Sequence, residues 1–194
     1  MKDKIIVPDA VLCNCYQERK TNIHPSDYIV FDTETTGLSP THNRVIEIGA
    51  IKYHNYEKIE EFNQLINPEE SISSFITNLT GIRNEDLIDK PTIKSVLLDF
   101  YEFIEDYTLV AHNASYDVKM LAGEAHRCQL DLFPNMVIDT VPLARKTIPK
   151  PLIENHRLET LKNYFGLVNN SHRAIDDCET CNTVYQYYCE QQSK

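Results

Sequence analysis

The chain has 194 residues, of which 42% are hydrophobic and 25% charged, and its formal net charge is −10. These values exclude a collagen-like, low-complexity or coiled-coil protein and are typical of one globular domain. No apolar run reaches the roughly 20 residues that a membrane helix needs, and the apolar stretch near the start is too short for a signal peptide. We therefore expect a cytoplasmic protein that makes no membrane contact.

The negative charge bears on the choice of partner. It would repel a polyphosphate at long range, so composition alone argues against a nucleic-acid partner.

The six cysteines lack the dense spacing of a small disulfide-rich protein, which indicates reduced thiols. Cys178 and Cys181 form a CxxC pair, which is compatible with zinc, but no second pair lies at zinc-finger spacing. Buried positions on a helix are the alternative.

The first half of the chain is predicted to begin with strands. Residues 1–26 follow no sustained period and are interpreted as an N-terminal extension that covers a sheet edge, binds a partner or is disordered. Strands are predicted at 27–35, 44–54 and 57–66, and the short turn at 54–56 favours antiparallel pairing. Helices then follow at 71–81 and 91–106.

The second half is predicted to alternate strands with helices. The strands lie at 108–112 and 137–141, and helices are predicted at 114–128, from 141, at 156–166 and at 174–191. Helical crossovers allow the later strands to run parallel. The predicted fold class is therefore α/β, with a mixed sheet of three antiparallel strands followed by parallel strands, and helices on its faces. The domain is predicted to span 27–190, with 191–194 as a tail.

Five polar residues form a candidate catalytic constellation. Asp32 and Glu34 are two apart at the end of the first strand, so they project on one face while Thr33 projects on the other. Like charges this close raise each other's pKa unless a cation lies between them. Asp117, near the start of the helix after the strand at 108–112, is a third candidate ligand.

The last part of the constellation is His172 with Asp177. Five residues correspond to about 140° on an ideal helix, so the two cannot share a helix face. His172 is therefore predicted to precede the helix that carries Asp177. Four carboxylates for a metal and one imidazole for proton transfer indicate a hydrolase.

Three motifs resemble a known family. DTETTG at 32–37, HNASYD at 112–117 and HRAIDD at 172–177 look like the three motifs of the DnaQ-like (DEDDh) exonucleases, in the family's order. IEIGA at 46–50, LTGI at 79–82 and IDT at 138–140 support the resemblance, which covers about 27–190. Within that family, the DTETTG and HNAS motifs most resemble those of the proofreading exonucleases of bacterial replicative polymerases.

The resemblance implies a ribonuclease H-like fold and a two-metal 3′→5′ exonuclease that acts at the single-stranded 3′ end of DNA. Asp32, Glu34 and Asp177 would hold one divalent ion, Mg²⁺ or Mn²⁺, and Asp32 with Asp117 would hold the second. His172 would be the general base. The ions would also answer the objection from net charge, because they place positive charge in an acidic site.

The resemblance also implies contacts to the substrate. Thr33, Gly37 and Leu38 would line the terminal nucleotide, with Leu38 wedged against a base. The strand would be contacted by three further residues: His112, Asn113 and Tyr116. Tyr116 stands where the family commonly has Phe, a change that keeps the ring for stacking.

Several alternatives stay open at this point. Relatives in the family act on RNA, and the chain is compatible with a polymerase partner or with a free-standing nuclease. A non-catalytic binding module on the same fold is a rival from another class. QLDLF at 129–133 resembles a sliding-clamp-binding peptide, although its apolar side chains would also pack naturally into the domain. Asp139 is interpreted as a helix cap outside the site.

Overall fold

The computed structural model describes residues 5–169 and 172–193. Five strands form one sheet, and their bounds are β1 (Tyr28–Thr35), β2 (Val45–His54), β3 (Glu57–Leu65), β4 (Thr108–Ala111) and β5 (Val137–Asp139). The helices are α1 (Asp9–Cys13), α2 (Ser74–Thr80), α3 (Asn84–Leu87), α4 (Ile93–Ile104), α5 (Ser115–Arg127), α6 (Thr140–Thr147), α7 (Leu158–Phe165) and α8 (Ala174–Gln192).

The strand order in the sheet is β3-β2-β1-β4-β5. β1 pairs antiparallel with β2 and parallel with β4, and β5 is parallel to β4. This arrangement confirms the predicted mixed α/β sheet. β1 lies at the centre of the sheet. Because β1, β4 and β5 run parallel, their carboxyl ends lie at the same edge of the sheet.

The two faces of the sheet have separate cores. Ile29, Phe31 and Ile48 pack toward α4 and α5 in one cluster, whereas Tyr28 and Val30 pack toward α8 in the other. The division follows from the alternation of side chains along a strand. Consequently the residues of β1 with even numbers face α8.

Glycines end two helices and permit one close contact between elements. Gly81 and Gly166 adopt left-handed conformations at the ends of α2 and α7. A Cβ atom at Gly49 would lie 2.7 Å from the carbonyl carbon of Ala174, so only glycine lets the start of α8 approach β2 this closely. That approach brings the N-terminal turn of α8 over the end of β1.

Some boundaries differ from the predictions. The strand predicted at 137–141 is only β5, because the Asp139 side chain accepts a hydrogen bond from the Val141 N–H and starts α6 there. The prediction that Asp139 caps this helix is confirmed. Two short helices, α1 and α3, were not predicted, because a single turn has no measurable periodicity. Residue 194 of the predicted tail lies outside the described residues.

The described part of the N-terminal extension packs on the domain. Val7 and Tyr16 are buried, and Lys20 forms a parallel bridge with Val137. The Val137 N–H donates to the Arg19 carbonyl at 2.8 Å. Of the three interpretations of residues 1–26, the structure supports the one in which the extension covers a sheet edge, which is the edge of β5. Residues 1–4 lie outside the described part. A domain boundary at residue 26 stays a prediction.

Packing bears on two further interpretations. Cys178 and Cys181 are buried on α8, where burial raises the pKa of both thiols, and no cluster of candidate ligands within the described residues includes them. Phe133 of the segment 129–133 is buried in the core.

Within residues 5–169 and 172–193, no helix has both the length and the apolar character needed to cross a bilayer.

Candidate active site

A cleft of about 760 Å³ opens at the carboxyl end of β1. All eleven residues predicted for catalysis and substrate contact line it: Asp32, Thr33, Glu34, Gly37, Leu38, His112, Asn113, Tyr116, Asp117, His172 and Asp177. They come from the end of β1, the end of β4, the first turn of α5 and the start of α8. The topology therefore gathers residues that are up to 145 positions apart in the chain into one place.

The four carboxylates crowd one another. Asp32 and Glu34 share the α8 face of β1, and Asp177 approaches them from the first turn of α8. Burial, aided by the neighbouring carboxylates, raises the pKa of Asp32 well above its usual value. Burial and the Asp177 charge likewise raise the pKa of Glu34 to about 8. The site therefore holds more negative charge than it can stabilise by itself.

Asp117 reaches the cleft from the opposite face of the sheet. Its Oδ1 accepts hydrogen bonds from the Thr33 hydroxyl at 2.6 Å and from the Thr33 N–H at 3.2 Å. Thr33 projects away from Asp32 and Glu34, as predicted, and this orientation places its hydroxyl beside Asp117. Burial raises the pKa of Asp117 to about 7, although the bonds from Thr33 oppose the shift.

His172 precedes α8, as predicted from its spacing to Asp177. Its backbone is left-handed, with φ of 62°, and its N–H donates to Asp177 Oδ2 at 3.0 Å. Burial raises the pKa of Asp177 to about 6, and the N–H of His172 moderates the shift. One ligand atom from each of Glu34, His172 and Asp177 lies within 4.8 Å of the others.

This arrangement fits a divalent cation. Oxygen-rich sites with several carboxylates suit hard ions such as Mg²⁺ and Mn²⁺. The raised pKa values show that the carboxylates disfavour their charged forms when no cation is near. A bound cation would reverse that preference.

Both ring nitrogens of His112 have hydrogen-bond partners within the protein. In His112, Nε2 lies 2.9 Å from the His156 carbonyl oxygen, which can only accept, so Nε2 carries the proton. Nδ1 then accepts from the Thr140 hydroxyl at 2.8 Å. Burial lowers the pKa of His112, which is consistent with a neutral ring. Both nitrogens of His112 are thus engaged within the protein, and the ring ties the end of β4 to the loop at 148–157.

Tyr116 fixes the loop that follows β1. Its hydroxyl lies 2.6 Å from the Thr35 hydroxyl and donates to the Gly37 carbonyl at 3.2 Å. A phenylalanine could make neither bond. Leu38, the residue after Gly37, is 84% exposed and lines the cleft. The tyrosine hydroxyl therefore positions the backbone that carries this exposed side chain.

Sequence reasoning missed several residues of the site. Glu47 of β2 lies opposite Glu34 in the register and is fully buried, and it accepts bonds from the Arg173 guanidinium. The IEIGA motif alone does not indicate this contact, because it depends on the strand register that places Glu47 opposite Glu34. The cleft is also lined by residues that were not predicted as site residues, namely Thr35, Phe75, Ile76, Leu79, Val141, Arg145, Asn155, His156, Arg157 and Leu158.

Comparison with known proteins places the chain in a family. The profile of the RNase_T family, described as Exonuclease, matches residues 29–185. The chain therefore belongs to this exonuclease family, and the DnaQ-like resemblance is confirmed.

Relatives and solved structures agree with this assignment. The chain is 41% identical to the PolC-type DNA polymerase III of Halalkalibacterium halodurans over 84% of its own length, and 39% identical to that of Caldanaerobacter subterraneus over 82%. It spans only 11% of each of these relatives. Exonuclease X in complex with 5′ overhanging duplex DNA is 25% identical, with a TM-score of 0.64 over 86% of this chain and 92% of that one. Exonuclease I from Methylocaldum szegediense shares the fold. It is 18% identical to this chain, with a TM-score of 0.74 over 87% of this chain and 41% of that one.

Proposed function

We propose that the chain is a metal-dependent 3′→5′ exonuclease that removes nucleotides one at a time from a single-stranded 3′ end of DNA, as in proofreading. The observation that carries the proposal is the meeting of Asp32, Glu34, Asp117, Asp177 and His172 in one cleft. Similarity to PolC-type polymerases and to DNA-bound exonuclease X supports DNA as the substrate.

The carboxylates would hold two divalent ions, Mg²⁺ or Mn²⁺. Asp32, Glu34 and Asp177 would bind one of them, and Asp32 with Asp117 would bind the other. When bound, such ions activate water and offset the negative charge that develops on phosphorus. Thr33 supports this role, because its two hydrogen bonds hold the Asp117 carboxylate in a fixed orientation.

His172 would act as the general base. Its ring lies beside Glu34 and Asp177, where it can take the proton of the attacking water. Its left-handed backbone and the hydrogen bond from its N–H to Asp177 fix the position of the backbone from which the ring projects.

The substrate contacts follow the shape of the cleft. Leu38 would wedge against the terminal base, and Thr33 and Gly37 would line the terminal nucleotide. Asn113 and Tyr116 would contact the strand. His112 would do so only through its ring face, since both ring nitrogens bond within the protein.

A DNA polymerase is the partner that the relatives suggest, whether on the same chain or as a separate subunit. Contact with a sliding clamp through residues 129–133 is opposed by the structure, because Phe133 packs near Phe31 and Phe100 in the core. A cytoplasmic location stays a prediction.

The test is degradation of end-labelled single-stranded DNA and RNA with Mg²⁺, Mn²⁺ or EDTA. Wild type should shorten DNA only with a metal, and Asp32→Ala and His172→Ala should each lose at least 100-fold in rate. Glu179→Ala, an exposed residue of α8 outside the cleft, is the control and should retain full activity. Faster loss of RNA than DNA would reassign the substrate, and no cleavage with any metal would favour a non-catalytic binding module.

A further inference from the structure

The loop between β1 and β2, residues 36–44, carries the exposed Leu38. None of its residues is buried, so it has no side chain in either core. At its base the Thr36 N–H donates to the Arg44 carbonyl at 2.8 Å, and the Arg44 N–H donates to the Thr36 hydroxyl at 2.9 Å. A loop of this kind keeps its position through polar contacts, because it lacks the apolar packing that holds helices and strands.

Helix α5 holds the far side of this loop through Arg127, whose side chain is 7% exposed. Its Nη1 donates to the Pro40 carbonyl at 2.9 Å, and its Nη2 donates to the Asn43 carbonyl at 3.0 Å. A Cβ atom at Gly123, one turn earlier, would lie 2.6 Å from the Pro40 oxygen, so only glycine admits the loop this close to the helix. The planar guanidinium therefore bridges two loop carbonyls, which the point charge of a lysine could not do.

A second buried side chain of α5 fixes the guanidinium. Glu124 Oε2 accepts the Arg127 Nε–H at 3.0 Å, and its side chain is 1% exposed. Its other oxygen, Oε1, accepts the Val45 N–H at 3.0 Å, where the loop enters β2. Burying two charges costs about as much as their attraction returns, and apolar residues of similar volume are often equally stable. The main consequence of this pair is therefore a fixed geometry between α5, the loop and β2.

The same helix also carries part of the candidate site. Asp117 lies in the first turn of α5 and Arg127 in its last, about 15 Å further along the axis. The hydroxyl of Tyr116, in the first turn, donates to the Gly37 carbonyl at 3.2 Å. One helix thus holds the loop at two points, and these contacts set the position of Leu38 relative to the Asp117 carboxylate.

We propose that Arg127, held by Glu124, is a positioning residue that sets the place of Leu38 over the terminal nucleotide. The loop carries none of the four candidate carboxylates, so its position governs how the 3′-terminal nucleotide binds rather than how water is activated. This inference rests on the proposed function, because it concerns the same cleft and the same nucleotide. It adds a residue outside the cleft to those that determine recognition of the strand end.

The test removes the bridge without leaving a charge unpaired. Glu124→Gln combined with Arg127→Met keeps an acceptor for the Val45 N–H and replaces the ion pair by uncharged side chains of similar size. With Mg²⁺ and end-labelled single-stranded DNA, KM should rise about 5-fold to 50-fold, and kcat should stay within about 2-fold of wild type. Arg127→Lys retains the charge but not the fork, so it should raise KM nearly as much. Wild-type KM in the lysine variant would overturn the bridging role.

Dependence on Leu38 separates positioning from general loss of stability. In a Leu38→Ala background, the double variant should raise KM no further, because the side chain that it positions is gone. The same should hold for a strand whose 3′-terminal nucleotide is abasic, since Leu38 then has no base to contact. The control is Leu97→Ala, a core substitution on α4 outside the cleft, which should lower Tm without changing KM.

The outcomes keep this inference distinct from the proposed function. If wild type degrades DNA and the double variant leaves KM unchanged, or raises it equally with and without Leu38, the positioning role is wrong and the exonuclease proposal stands. A similar rise in KM for Leu97→Ala would overturn the positioning role in the same way. No degradation by wild type with any metal would overturn both proposals.

Discussion

The Arg173 guanidinium forms a bidentate ion pair with the buried Glu47 carboxylate. Nη2 lies 2.9 Å from Oε1, and Nε lies 3.2 Å from Oε2. Glu47 Oε2 also accepts the N–H of Ala174, the first residue of α8. The pair thus anchors the start of α8 to β2. The same segment carries two residues of the site, His172 directly before Arg173 and Asp177 three residues after Ala174.

Removing one partner of this pair should cost both stability and turnover. Arg173→Ala leaves the Glu47 charge buried beside Glu34, so we expect the free energy of unfolding to fall by about 3 kcal/mol. Glu47→Gln removes the charge and should cost less. Both should lower kcat more than they raise KM, because the ends of α8 and β1 lose their fixed relation. Urea unfolding and initial rates measure the two effects.

The matched control is Arg83→Ala. Arg83 pairs with Glu85 at the surface, where both side chains are more than 60% exposed, so its loss should change stability by under about 0.5 kcal/mol. Equal destabilisation by Arg173→Ala and Arg83→Ala would contradict the anchoring role.

Tyr116→Phe deletes a single hydroxyl that bonds Thr35 and Gly37. The loss of these bonds should destabilise the protein by about 1 kcal/mol. Because the loop that carries Leu38 loosens, KM for single-stranded DNA should rise several-fold while kcat changes little. Tyr164→Phe, at a tyrosine outside the cleft, is the control. A fall in kcat with unchanged KM would indicate that the hydroxyl acts on the chemistry instead.

The acidic cluster predicts a specific pH dependence of metal-free stability. The pKa of Glu34 rises from 4.5 in the unfolded chain to about 8 in the folded one, so its favourable contribution is present below pH 4.5 and is lost as the pH rises through 8. Mg²⁺ should therefore raise Tm more at pH 8.5 than at pH 5.5. Thermal melts with and without Mg²⁺ measure this, and Glu34→Gln should reduce the difference. A metal-induced rise in Tm that is the same at both pH values would oppose the account.

Tyr16 tests whether the N-terminal extension is part of the folded domain. It is 7% exposed and packs in the same core cluster as Phe133. Tyr16→Ala should lower the free energy of unfolding by about 3 kcal/mol, whereas Ile23→Ala, at a residue 74% exposed, should change it little. Chemical denaturation compares the two. Similar stability of both variants would mean that the extension contributes nothing to the core.

The candidate catalytic residues could be predicted to lie together, because strand alternation and the three motifs identify them locally. Glu47 could not, because its role depends on the β1–β2 register that places it opposite Glu34. Phe75 could not, since an exposed Phe on a short helix has the same local pattern as one that packs inward. The bridge between Lys20 and Val137 joins segments far apart in the chain and leaves no periodicity. Local chemistry is thus readable from sequence, whereas contacts set by register and packing are not.

The direction of digestion tests the central claim most directly. A single-stranded DNA labelled at its 5′ end and a second labelled at its 3′ end would be followed with Mg²⁺ by gel electrophoresis. The account predicts a ladder of progressively shorter 5′-labelled products, and immediate release of the 3′ label as a mononucleotide. Immediate loss of the 5′ label, or internal fragments from both strands, would contradict a 3′→5′ exonuclease.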